Sequence, residues 1–281
     1  PRARQLMQKV STDDFSNENF KWLTAKNVNV GYAPVNAMRV NFVGELGWEL
    51  HHPIEYQNHI FDQLMQKVSR SDFSNERFKW LSAQNINIGL APCNAMRVNF
   101  VGELGWELHH PIEYQNHIFD QLMEAGKEFG IKPYGIRAMN SLRVEKSYKL
   151  VGTELSIEYS PYESGLDRFI HPNKGDFIGR AALDKWRAKG FSNKLVTMEI
   201  HGVTDADVLG NNPIYDNGSV VGRATGGDFG FRLNKSIALG MVKPELAKVG
   251  KKLKIDILGK MHEASIVEDS PYDTDNKLLR A

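Results

Sequence analysis

In the last third of the chain, apolar and polar positions alternate with a period of two between short turn signals. Leu195–His201, Pro213–Tyr215, Ser219–Arg223, Ser236–Val242, Lys252–Leu258 and Ala264–Glu268 are runs of this kind. Asp216-Asn-Gly218 and Leu258-Gly-Lys260 lie between runs as tight-turn sequences. Helical periodicity is scarce there, so residues 191–281 are predicted to form a small antiparallel β-barrel or sandwich. Gly226-Gly-Asp-Phe-Gly230 reads as a flexible β-turn, because its glycine spacing is wrong for a dinucleotide-binding loop.

Upstream the periods mix. Asp72-Phe-Ser-Asn-Glu is predicted to start a helix capped by Asp72 or Ser74. Asn85–Ala91 and Ala95–His109 carry strand patterning, the second with Met96, Val98 and Phe100 on one face before Gly102-Glu-Leu-Gly105 turns the chain into Trp106-Glu-Leu-His. Pro111–Gly130 is predicted as an amphipathic helix that Gly130 terminates. Tyr134–Tyr148 is predicted as a second helix, and a linker is placed around Lys185–Asn193. Strands and helices mixed in this way give an α+β class, with a ferredoxin-like lobe before the barrel.

A repeat complicates the front of the chain. Residues 6–63 recur as 64–121 at an offset of 58, with nine differences, so that 49 of 58 positions are identical. Repeats selected for packing keep their buried face and let the surface drift. Here surface-type residues such as Asn58, His59 and Gln63 are retained as well, the signature of a recent tandem duplication or a gene-assembly artefact. Only the second copy runs directly into unique sequence. The organisation expected is therefore a duplicated partial copy (1–63), a lobe (64–190) and a barrel domain (191–281).

Composition narrows the function classes. The 35 Lys+Arg against 34 Asp+Glu leave a formal charge of +1, which argues against a polybasic nucleic-acid arm. Apolar residues are 41% and charged residues 25%, ordinary for a globular chain, and no apolar run has the length of a membrane helix. The single cysteine, Cys93, excludes an intrachain disulfide and suits a reducing compartment; Val35 stands at its counterpart, which favours packing over nucleophilic chemistry.

The candidate chemistry is polar groups within apolar surroundings. Alternation puts Glu107 and Gly105 on one face and Trp106 and Leu108 on the other; a carboxylate beside large aromatics marks a site for an N–H-rich ligand, or else an exposed strand position. Arg137 and Arg143 lie six apart, too far around a helix for one forked clamp, so that one is free for an anion while the other pairs with Glu145 or Glu163. His109, His110, Glu113 and His117 do not have metal-ligand spacing and read as a solvated strand end. No catalytic arrangement can be picked out from spacing.

Three of these stretches carry a resemblance. Met96-Arg-Val-Asn-Phe-Val-Gly-Glu-Leu-Gly-Trp-Glu-Leu-His, Gly135-Ile-Arg-Ala-Met-Asn-Ser-Leu-Arg-Val-Glu-Lys and Lys174-Gly-Asp-Phe-Ile-Gly-Arg resemble the aminomethyltransferase (glycine-cleavage T-protein) domain. More closely, residues 64–281 resemble the C-terminal, folate-binding half of the dimethylglycine and sarcosine dehydrogenases. The resemblance implies tetrahydrofolate as cofactor, with FAD confined to an N-terminal domain outside this chain, and capture of a one-carbon unit from an N-methyl amine as 5,10-methylenetetrahydrofolate. It implies that Glu107 binds the pterin ring and that Arg137 lines the same cavity. Phe100 stands where the family often has Tyr, keeping the ring and losing the hydroxyl. The region of the family's catalytic Asp is not recognisable here, so catalytic residues stay unassigned. The partners implied are folate and a one-carbon donor, with no nucleic acid or membrane, in a bacterial cytoplasm or a mitochondrial matrix. The rival expectation is a non-catalytic regulatory or assembly protein of the same fold, since fold does not fix function.

Overall fold

In a computed structural model, residues 64–203 and 205–280 are described, together with 8, 11–21, 24–30, 33–38 and 49–51. The chain divides into two compact units, one of residues 1–99, 103–133 and 278–281, the other of residues 100–102 and 134–277.

The first unit contains two three-stranded antiparallel sheets, one per repeat copy. Strands β1 (Ala25–Val30), β2 (Ala33–Met38) and β3 (Glu49–His51) form one, and β4 (Ala83–Ile88), β5 (Ala91–Met96) and β6 (Glu107–His109) the other. Their registers match residue for residue: Ala25 opposes Met38 as Ala83 opposes Met96. The second sheet alternates as its sequence does. Ile86, Ile88, Cys93 and Ala95 point into a core with Phe73 and Phe78, while Asn85 and Asn87 face outward. Helix α1 (Gln115–Gly126) adds Ile118 to that core, and the left-handed Gly130 (φ 70°) ends the short helical turn that follows.

Several expectations in this unit are corrected. Asp72 starts no helix: its carboxylate accepts from the Ser74 N–H at 2.8 Å and closes a single turn that ends with Phe78 N–H on Ser74 O. The run Asn85–Ala91 is interrupted by a two-residue hairpin turn at Gly89 (φ +56°) and Leu90. The strand through Val98 and Phe100 stops at Met96, where the Val98 N–H turns back onto Met96 O and the buried Arg97 side chain donates to Phe78 O at 2.7 Å. The amphipathic helix expected over Pro111–Gly130 is shorter, and Ile112, in the turn before α1, and Phe119, on α1, are exposed.

The second unit is the predicted barrel and what packs on it. Strands β7 (Lys194–Ile200), β8 (Pro213–Asp216), β9 (Ser219–Gly230), β10 (Lys235–Val242), β11 (Lys252–Ile257) and β12 (Lys260–Val267) close in the order β10-β7-β12-β11-β8-β9. Met198, Ile214, Ala238, Ile255 and Ala264 fill its interior at 0% exposure. The turns at Asn217-Gly218 and Leu258-Gly259 have positive φ at both residues, as the sequence indicated. Gly226–Gly230, expected as a flexible turn, is instead the end of β9. A Cβ on Gly227 would lie 2.7 Å from Ile237 O and 2.9 Å from Val208 Cβ, so the glycine is there for close approach. Helix α2 (Ile136–Val144) precedes the barrel, and helix α3 (Arg180–Lys189) occupies part of the stretch expected as linker.

Candidate functional site

Glu107 opens β6 directly after Trp106. The alternation read from sequence holds: Trp106 and Leu108 pack on the core, with the Trp106 ring edge-on to Phe73 at 5.4 Å, and Glu107 faces outward. Its side chain is 49% exposed and meets His109 Nε2 at 3.3 Å. Cross-strand pairing puts Glu107 opposite Met96, and His109 opposite Asn94, which bonds Asn85 at 2.9 Å. A groove of about 350 Å³ on this polar sheet face is lined by Asn85, Asn94 and His109 among others.

Arg137 and Phe100 belong to the second unit. Arg137 lies in the first turn of α2, with its side chain 72% exposed; its Nη2 donates to Asp207 at 2.9 Å and lies 3.9 Å from Asp228. These two carboxylates push the Arg137 pKa up. The helix is held against β9 by groups that reach its glycine-rich end. Asn140 donates to Asp228 at 2.7 Å and Gly227 O at 3.2 Å, and Ser141 Oγ donates to Phe229 O at 2.6 Å. Glycine at 230 leaves room for Glu145 beside them: a Cβ there would meet the Glu145 side chain at 2.8 Å. Phe100 stacks on Tyr148 with ring centroids 5.8 Å apart.

Arg143 pairs with neither Glu145 nor Glu163. Its guanidinium is buried, donating to Asn140 Oδ1 at 2.9 Å and Tyr148 O at 2.8 Å, and meets Glu154 at 3.4 Å. Desolvation, the largest influence on Glu154, raises its pKa, but donors from Thr225, the Leu150 N–H, Thr153 and Arg143 together hold it below the ordinary 4.5. Glu145, fully buried, is taken by Arg232, which also stacks over Tyr272. Glu163 accepts from Ser160, Ser192 and Asn193. The sequence reading missed Asp207, Asp228 and Glu154. The signal for Asp228 was present, as an acidic residue within a glycine run, but for Glu154 nothing in spacing distinguishes a buried carboxylate from an exposed one.

His109 is exposed and His110 half-buried, whereas the ring of His117 lies under the Gly89 turn. Cys93 is 4% exposed and burial pushes its thiol pKa up, which fits packing.

Comparison with known proteins places this geometry. The model of the GCVT N-terminal domain matches residues 1–70 and again 62–174, one match for each repeat copy, and that of the glycine cleavage T-protein C-terminal barrel domain matches residues 193–273. Human mitochondrial dimethylglycine dehydrogenase is 38% identical over 208 residues, which cover 74% of this chain and 24% of that protein. Mouse mitochondrial sarcosine dehydrogenase is 34% identical over 227 residues, covering 77% and 24%. An aminomethyltransferase of Desulfitobacterium hafniense is 32% identical over 211 residues, covering 75% and 57%. The chain thus spans about a quarter of the dehydrogenases' length and over half of that aminomethyltransferase. The solved aminomethyltransferase T of the Bartonella henselae glycine cleavage system superposes with a TM-score of 0.66 at 17% identity, over 98% of this chain and 82% of that one, a likeness of fold. The chain belongs to the glycine-cleavage T-protein (aminomethyltransferase) family. Among the described residues no helix is long and apolar enough to cross a membrane.

Proposed function

For this member of the aminomethyltransferase family, we propose that the chain is the tetrahydrofolate-binding part of a dimethylglycine or sarcosine dehydrogenase-like protein. When bound, tetrahydrofolate would supply the nitrogens that accept a one-carbon unit already at the formaldehyde level, the N-methyl amine having been oxidised by the FAD-dependent part of such a protein, to give 5,10-methylenetetrahydrofolate. The observation that carries the reading is the state of Glu107. It is an outward-facing carboxylate with His109 beside it, so it retains acceptor capacity for two parallel N–H bonds from an amino-pyrimidinone edge. The residues therefore fit the group. Arg137, fixed by Asp207, keeps exposed N–H donors for a carbonyl or an anionic group of the cofactor, and Phe100 offers a stacking ring without a hydroxyl. Each of the three is assigned on its own surroundings.

Calorimetric titration of the full chain with tetrahydrofolate tests the reading. Micromolar binding is expected, weakened at least tenfold by Glu107→Gln and by Arg137→Gln, in the range of about 2–5 kcal/mol for truncating a partner that the ligand buries. A folded chain that binds no tetrahydrofolate, or binds it equally well in both variants, overturns the assignment.

A further inference from the structure

The two repeat copies supply an internal control, and it points to a second site. In the first copy the Asp13 carboxylate accepts the Asn29 N–H at 2.8 Å and the Ser11 hydroxyl at 3.1 Å, while the Asp13 N–H donates back to Ser11 Oγ. Asn29 lies on β1 opposite Pro34, and that carboxylate takes up its edge N–H. In the second copy the same turn forms, with the Ser71 N–H on Ser69 Oγ at 3.3 Å, and Asn87 lies opposite Pro92 in the same register. Ser71, however, stands in place of the aspartate and Arg70 in place of Thr12. The anion has been removed and a cation added.

At that place the second copy has a cavity of about 780 Å³, lined by Ser69, Arg70, Ser71, Asn87, Leu90 and His117 among others. Arg70 is exposed and has no ion-pair partner among the described residues, whereas neighbouring Lys67 is engaged by Glu128. His117 Nε2 is buried in the wall without a hydrogen-bond partner among the described residues, below the left-handed Gly89. Leu90 is 88% exposed and Val68 adds a second apolar contact.

We propose that this cavity binds a small organic carboxylate, whose carboxylate group takes the place that the Asp13 side chain holds in the first copy. The Asn87 N–H and the Ser69 hydroxyl donate to it as Asn29 and Ser11 do to Asp13. Arg70 supplies the matching charge, and Leu90 and Val68 receive the apolar part of the molecule. The site is independent of the folate reading and lies wholly within the first unit.

Proton–nitrogen correlation spectra of the ¹⁵N-labelled full chain test it, with butyrate, n-butylamine and inorganic phosphate as probes. Butyrate is expected to shift the Asn87 amide with millimolar saturation, and n-butylamine to leave it in place. Arg70→Thr should weaken the response about tenfold and Ser71→Asp should abolish it by supplying the carboxylate from within. Both substitutions install residues that the first copy already carries at this turn, and unmoved barrel amides report that the fold is intact. An Asn87 amide indifferent to butyrate, an undiminished response in Ser71→Asp, or an equal response to n-butylamine overturns the proposal. A shift with phosphate and none with butyrate overturns the carboxylate assignment.

Discussion

Replacing Arg143 by Met tests the buried pair that ties α2 to the loop behind it. Arg143 and Glu154 have side-chain exposures of 3% and 0%, so neither charge has water to fall back on. The substitution keeps an unbranched apolar stem and removes three donations, to Asn140, Tyr148 O and Glu154. Glu154 keeps Leu150 N–H, Thr153 and Thr225 as donors but loses its counter-charge. Breaking a buried pair from one side typically costs about 3–5 kcal/mol, and that is the loss expected at pH 7 by urea unfolding followed by far-ultraviolet circular dichroism. Linkage adds a pH signature. In the native chain the depressed Glu154 pKa contributes stability that is complete above the ordinary 4.5 and is lost as the pH falls through the folded value. Without Arg143 the Thr225, Leu150 and Thr153 donors remain but the Glu154 pKa moves upward from its depressed value, so the variant has less of this stability to lose as the pH falls below 4.5 and its deficit narrows there. Arg143→Met with Glu154→Leu should recover part of the loss, because no orphaned charge is left. A deficit below about 1 kcal/mol at pH 7, or one that does not narrow as the pH falls below 4.5, would refute the reasoning.

Three further outcomes are expected. Gly227→Ala forces a methyl against Ile237 O and Val208, and should lower barrel stability by about 1–3 kcal/mol in the same unfolding assay. Glu163, whose largest influence is a desolvation that raises its pKa, is nonetheless held low by the Ser160, Asn193 and Ser192 donors. It therefore stabilises above pH 4.5 and progressively less below, and Glu163→Gln should flatten the acid limb of stability against pH. Cys93, at 4% exposure, should react with a thiol reagent only as fast as the chain opens, and Cys93→Val, which installs the first copy's residue, should change stability by less than about 1.5 kcal/mol.

What was legible in the sequence follows from what local pattern encodes. Alternation gave the barrel strands other than β9 to within about four residues, because half-buried antiparallel strands must repeat every two positions, and Asn217-Gly218 announced its own turn; β9 runs on to Gly230, seven residues past the alternating run. The outward Glu107 and inward Trp106 came from the same rule. Three errors share a different cause. A helix at Asp72, a strand through Phe100 and a flexible loop at Gly226 are each good local readings overridden by long-range contacts. Phe78 and Arg97 consume the chain before either element extends, and the glycines of β9 answer to neighbours that are remote in sequence. The partners of Arg143 and Glu145 were misassigned for the same reason, since ion pairing across a fold has no period.

The glycine-rich end of β9 and the arginine-bearing helix α2 are best understood as one device. A strand position without a Cβ leaves room for a side chain of a neighbouring element to lie against its backbone. At Gly230 the Glu145 side chain occupies that room, and close by Asn140 and Ser141 donate to Gly227 O and Phe229 O. Asp228, between those glycines, accepts from Asn140 and so fixes the azimuth of the helix. That azimuth aims Arg137, one turn earlier, at Asp207 and Asp228 rather than into bulk water. The position of the guanidinium proposed to meet the cofactor is thus set by the side chains of Asn140, Asp207 and Asp228 beside the glycine run. A substitution in the glycine run would therefore be expected to act on ligand binding through Arg137 as well as on stability, although none of those glycines need touch the ligand.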